Sequence, residues 1–166
     1  MGGEASFDDV LAANAAYVEH YDRGGLAGRA ARGLAVLTCM DSRIDPLGML
    51  GLAPGDAKIL RNAGARVTPD VLRTLVLATY LLGVDRAMVV AHTDCRMSGG
   101  TEDDVHEAIR AAGGPDTRSM SFETTTDQRA TLREDVQRIR SSPYLGGLTV
   151  GGFVYDVHTG RLEQLY

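Results

Sequence analysis

Short unbroken apolar runs alternate along this chain with stretches whose apolar residues recur at helical spacing. Phe7, Val10, Leu11, Tyr17, Val18 and Tyr21 form the first such stripe, interrupted only by Asn14. Ser6-Phe7-Asp8-Asp9 ahead of it reads as a capping box, so a helix is predicted to about Arg23, closed by Gly24-Gly25. Leu34-Ala35-Val36-Leu37 is then a continuous apolar run of the kind a strand buried on both faces requires, and it leaves Cys39 at the strand's carboxyl end. A short helical segment around Pro46 to Leu50 precedes a second strand, Ala57-Lys58-Ile59-Leu60, which leads into Arg61-Asn62-Ala63-Gly64. Thr68-Pro69-Asp70 opens a helix with a hydroxyl cap, Pro in the first turn and an acid near the positive end of the dipole; it runs to Leu82, with Gly83 to close it. Ala87 to Ala91 is the third strand and carries His92 and Cys95 at its own carboxyl end. Further helices are predicted from Thr101-Glu102-Asp103-Asp104 and from about Thr126 to Arg140, with a loose stretch from roughly Ala112 to Thr125 between them. Leu148 to Val157 and Arg161 to Leu165, around Thr159-Gly160, read as a strand and its hairpin return.

Strand and helix in alternation predict an α/β fold: a mostly parallel central sheet flanked by helices, with right-handed crossovers and a C-terminal antiparallel hairpin. Open parallel sheets place their ligands beyond the carboxyl ends of the strands, which is where Cys39 and His92 fall. A length of 166 residues with 44% hydrophobic content predicts a single domain over 1–166, with residues 1–30 as an N-terminal helix arm.

Charge narrows the partners. The net charge is −5 with basic residues scattered among acidic ones, which gives no footprint for nucleic acid or an anionic membrane surface. No apolar stretch reaches the ~18 residues of a membrane span. Met1-Gly2-Gly3-Glu4 lacks a basic segment followed by an apolar one, so the expectation is a cytoplasmic protein in a reducing compartment. There a pair of cysteines binds metal or reacts more readily than it forms a stable disulfide.

The chain has only two cysteines, Cys39 and Cys95, and the second closes a His92-Thr93-Asp94-Cys95 motif. Two thiolates and an imidazole are three protein ligands for a tetrahedral zinc with one position left over, which is the arrangement of a catalytic centre. Asp41 and Arg43 follow Cys39 in the pattern Cys-x-Asp-x-Arg. An Asp two residues past a zinc thiolate either coordinates the metal or accepts a hydrogen bond from a water on it, and the Arg can grip the same carboxylate with a bidentate fork. Two thiolates and a neutral His bring zinc near formal neutrality, so its water is acidified less than on three imidazoles. Arg61 and Asn62 read as hydrogen-bonders lining the cleft, Gly64 as a backbone requirement, and His20, His106 and His158 as surface or helix-face residues. Asp94 either shapes its turn, orients Arg96 or takes part in catalysis.

Cys39-Met40-Asp41-Ser42-Arg43, Arg61-Asn62-Ala63-Gly64 and His92-Thr93-Asp94-Cys95, in this order among the strands, resemble the β-class carbonic anhydrases, and the short length resembles their compact bacterial subgroup. The resemblance implies zinc held by Cys39, His92 and Cys95, an Asp41–Arg43 catalytic dyad, and reversible hydration of carbon dioxide to bicarbonate and a proton. It further implies a homodimer or a dimer of dimers, with the N-terminal helix laid over the partner. One departure is Arg96, where the family usually has Gly after the second cysteine. Hydrolysis of carbonyl sulfide or carbon disulfide on the same ligand set is the alternative, and a closed zinc domain without turnover is a third reading.

Overall fold

The computed structural model describes residues 6–166. Strand β1 (Leu34–Cys39) lies inside the sheet with all six residues buried, as its unbroken apolar run demands. Parallel pairing joins it to β2 (Ala57–Asn62) on one side and β3 (Arg86–His92) on the other. β4 (Thr149–Tyr155) pairs parallel with β3, and β5 (Leu162–Gln164) returns antiparallel to β4, giving the order β2-β1-β3-β4-β5. The predicted fold class is therefore the observed one.

The helices are α1 (Asp8–Val18), α2 (Pro69–Leu81), α3 (Glu102–Ala111) and α4 (Gln128–Arg140). On one face of the sheet Val71, Leu75 and Ala78 of α2 and Leu132, Val136 and Ile139 of α4 pack with Ala35, Leu37 and Val89. On the other, Leu34, Val36 and Val90 meet Met49, Ile59, Met88 and Phe153. Fully enclosing a Val or Ile side chain stabilises by about 1.5–3 kcal/mol, and Val36, Val90 and Ile139 are all 0% exposed, so the strands that carry Cys39 and His92 are anchored where burial is greatest.

Caps set the helix starts. Thr68 Oγ1 accepts from the Val71 N–H, Thr101 and Asp104 form a reciprocal capping box, and Asp127 accepts from the Ala130 N–H. The fourth helix thus begins at Gln128, just after the predicted Thr126, because Asp127 is the better cap. Helix α1 departs further from expectation. Ser6 Oγ accepts from Asp8 N–H at 3.2 Å, but Phe7 is the cap residue and the predicted box does not form. The helix ends at Val18, short of Arg23, through His20 N–H to Tyr17 O and Tyr21 N–H to Val18 O bonds that tighten its last turn. None of its residues is buried, so its apolar stripe stays largely exposed among the described residues.

The stretch expected to be loose, 112–125, is irregular but clamped. Glu102 accepts from the Phe122 and Thr124 N–H groups, both at 2.8 Å, and Arg66 Nη1 donates to Glu123 O at 2.6 Å. His106, read as a surface or helix-face residue, lies on the face of α3 turned against this segment: its side chain is only 10% exposed and its Nδ1 lies 2.9 Å from Thr117 Oγ1. No helix among the described residues is long and apolar enough to cross a membrane.

Arg66 also donates Nε to Asp135 Oδ2 at 2.7 Å, with side-chain exposures of 13% and 2%. Asp135→Ala takes away the close partner of that enclosed guanidinium and leaves only the Glu123 carboxylate, 4.0 Å from Nη1; it is predicted to cost about 3–5 kcal/mol in urea unfolding. The double change Arg66→Met with Asp135→Leu should recover most of the loss. A cost below about 1 kcal/mol for Asp135→Ala would show that the pair carries no structural weight.

Candidate metal centre

Parallel registry brings the site together. Thr38 lies opposite Val90 on β3, so Cys39 and His92 emerge beside each other at the carboxyl ends of adjacent strands. The loop after β3 turns back and delivers Cys95. Donor atoms of Cys39, His92 and Cys95 all lie within 4.8 Å of one another, and all three residues are buried. Neither cysteine is in a disulfide.

The imidazole is oriented for ligation. His92 Nδ1 lies 2.9 Å from Thr93 O, a bond that fixes the proton on Nδ1 and leaves the Nε2 lone pair facing the sulfurs. Nε2 is buried with no hydrogen-bond partner, an orphan that a metal ion would satisfy. Two thiols and one imidazole are a borderline-soft set suited to zinc and ill suited to magnesium or calcium. The Cys95 thiol, hydrogen-bonded to Cys39, pulls the Cys39 pKa down, and the His92 ring and Gly64 N–H add to this against the burial penalty. The same Cys39 bond, and then burial, pushes Cys95 up. Burial is the largest single influence on the His92 pKa and lowers it, but Cys39, the Thr93 main chain and Asp41 together make the net shift upward. A cation at the centre would relieve what burial costs the second thiolate.

Asp41 stands outside the cluster, in the grip of Arg43. Nε donates to Oδ1 at 3.0 Å and Nη2 to Oδ2 at 2.8 Å, a two-point fork on one carboxylate. Arg43 thereby holds the Asp41 carboxyl well below its ordinary range, and Asp41 with Asp94 raises the guanidinium in turn. Asp41 is thus an ionised carboxylate bound by Arg43, outside the three-donor cluster. The same guanidinium reaches Asp94, with Nη1 2.8 Å from Oδ2 and Nη2 3.1 Å from the main-chain oxygen. Asp94 therefore turns to Arg43 and not to Arg96.

The surrounding residues behave as their motif suggested. Arg61 donates to Cys39 O at 3.0 Å and to Asp41 O at 2.6 Å, fixing the loop between thiolate and carboxylate. Asn62 bonds both the N–H and the carbonyl of Arg66, each at 2.8 Å. Gly64 has φ +77° and donates its N–H to Cys39 Sγ at 3.4 Å. Arg96 is exposed and sits outside the positive-φ set, so the backbone after Cys95 makes no demand for glycine. Sequence reasoning missed Gln128, whose Nε2 donates to His92 O at 2.9 Å; nothing in its position at a helix start signals a contact made across the fold.

The carbonic anhydrase family model matches residues 34–113. Beta-carbonic anhydrase 1 of Mycobacterium tuberculosis is 37% identical over 159 residues, which cover 95% of this chain and 96% of that protein. The chain belongs to the β-carbonic anhydrases. A crystal structure of carbonic anhydrase from Streptococcus mutans superposes with a TM-score of 0.90 at 37% identity, covering 99% of this chain and 100% of that one. A carbon disulfide hydrolase of Saccharolobus solfataricus is 32% identical over 157 residues, 80% of this chain and 77% of that protein. As in other β-carbonic anhydrases, the cofactor is zinc, in keeping with the donor set at this centre.

Gly64 is the most exacting position in this β-carbonic anhydrase centre. A Cβ added there meets Met97 Cβ at 3.1 Å on a left-handed backbone. Gly64→Ala is predicted to lower stability by about 1–2 kcal/mol in chemical denaturation and to weaken zinc retention against a chelator. Unchanged values for both would mean that the loop shifts freely.

Proposed function

We propose that Cys39, His92 and Cys95 hold the zinc and that Asp41 and Arg43 support reversible hydration of carbon dioxide to bicarbonate and a proton at it. The observation that carries this reading is a buried three-donor cluster beside a carboxylate that Arg43 holds aside. Zinc, when bound, supplies the Lewis acidity that acidifies water near neutral pH. Asp41, kept ionised by Arg43, accepts a hydrogen bond from the attacking water and orients its lone pair toward the substrate. Arg43 stops the same carboxylate from closing the fourth position, and this weighs against the closed, non-catalytic reading. His92 stays a fixed ligand because its other nitrogen is bonded to the main-chain carbonyl of Thr93.

The sequence likeness to a carbon disulfide hydrolase supports a second reading, hydrolysis of carbon disulfide or carbonyl sulfide at the same centre. Carbon dioxide is preferred because the mycobacterial β-carbonic anhydrase matches at higher identity over more of the chain. We also read the chain as a single domain, 1–166, with residues 1–30 as an arm, working in the cytoplasm, where two unpaired thiols keep their metal.

The arm points to a homodimer or dimer of dimers. Phe7, Val10, Leu11, Tyr17, Val18 and Tyr21 are each at least 50% exposed. An isolated helix of this length is marginal in water, so a second copy is the natural cover for its stripe. Leu11→Glu with Val18→Glu is predicted to shift the protein toward monomer in sedimentation velocity; an unaltered dimer would place the interface elsewhere.

Two substitutions separate the proposed roles. Cys39→Ser should lose zinc and all carbon dioxide hydration. Asp41→Asn should retain zinc at one per chain while hydration falls roughly 10–100-fold, the scale seen for partners just outside a metal's ligand shell. Zinc loss in Asp41→Asn would make that carboxylate a ligand.

A further inference from the structure

Asp94 lies between two of the proposed ligands, yet its polar atoms are directed elsewhere. Its backbone is left-handed, φ 55°, a conformation that Asp tolerates better than most side chains. That turn presents both its carboxylate and its carbonyl to Arg43, at 2.8 and 3.1 Å. Arg43 spends its Nε and one Nη2 proton on Asp41, and its Nη1 and the other Nη2 proton on Asp94. The guanidinium is therefore held from both sides, by the loop after β1 and by the loop that bears His92 and Cys95. His158, from the turn between β4 and β5, has its Nε2 4.0 Å from the same Asp94 oxygen, outside hydrogen-bond range, so Arg43 is the direct partner.

We infer that Asp94 is a positioning residue for the reaction: by fixing Arg43 it keeps Asp41 away from the metal and the fourth coordination position open. The inference rests on the roles proposed for Asp41 and Arg43 above. The Arg43 side chain is 41% exposed, and an exposed Arg on a single carboxylate keeps much of its rotameric freedom. Anchoring the opposite edge of its planar fork removes that freedom and makes release of Asp41 rarer. A purely structural Asp94 would serve only to hold the left-handed turn, a task that Gly performs equally well.

Asp94→Gly is accordingly the informative change, since it keeps the backbone conformation and the main-chain acceptor and deletes only the carboxylate. With zinc at one per chain, it should lower kcat roughly 10–100-fold with little change in KM. Asp94→Asn, which retains one acceptor for Nη1, should recover part of the loss. In an Asp41→Asn background Asp94→Gly should have no further effect, because nothing is left to hold back. A second readout is independent of turnover: azide titrated into the cobalt-substituted protein, followed by visible absorption. Azide should bind Asp94→Gly several-fold more weakly than wild type, since Asp41 then competes for the position. Losing one negative charge would by itself tighten azide binding, so tighter binding overturns the inference. Equal losses in both backgrounds, or loss of zinc from Asp94→Gly, overturn it as well. Should wild type bind zinc and hydrate no carbon dioxide, the functional reading fails, while the azide titration still reports whether Asp94 holds Asp41 aside.

Discussion

Parallel pairing of β1 with β3 is the constraint on which the site depends. The two strands are distant in sequence, and their registry, Leu34 against Arg86 through Thr38 against Val90, leaves Cys39 and His92 side by side where both strands end. A one-residue slip would turn the alternating side chains of β1 over and change where Cys39 stands relative to His92. Burial forbids that slip, because β1 is enclosed along its whole length between α2 and α4 on one face and the Met49, Ile59 and Phe153 cluster on the other. The energy that fixes the metal centre is thus mostly hydrophobic, spent several ångströms below the ligands.

Above that platform the chemistry is a contest over one carboxylate. Asp41 is close enough in sequence to a thiolate to serve as a ligand, and a guanidinium grips both its oxygens; in the proposed mechanism that grip keeps it off the metal. Arg61 ties down the main chain on which the contest takes place, bonding the carbonyls of both Cys39 and Asp41. A centre with two thiolates has little positive charge left to acidify water, so an ionised acceptor beside it is worth more than in a site built from neutral imidazoles.

Much of this was legible in the chain. Continuous apolar runs located the buried strands, the Thr68-Pro69-Asp70 start located α2, and the two cysteines with His92 located the centre, because each of those signals acts within a few residues. What escaped was decided by contacts between distant segments. Helix α1 ends early, with none of its residues buried among the described ones, and a stripe of apolar residues does not say what covers it. Gln128 reaches His92 across the fold, and Asp94 chose Arg43 over the neighbouring Arg96 because a left-handed turn directs it there. The 112–125 segment, without periodicity, is ordered by single polar clamps from Glu102 and Arg66, which leave no pattern in sequence.

The most direct measurement is stopped-flow hydration of carbon dioxide by wild-type protein of known zinc content, from about pH 7 to 9, the range that brackets ionisation of a zinc-bound water, with carbon disulfide and carbonyl sulfide hydrolysis run on the same preparation. Hydration that scales with bound zinc and rises with pH is the predicted result. Full zinc loading with no hydration at any pH would contradict it, and turnover of a sulfur substrate in that case would move the centre to the hydrolase reading.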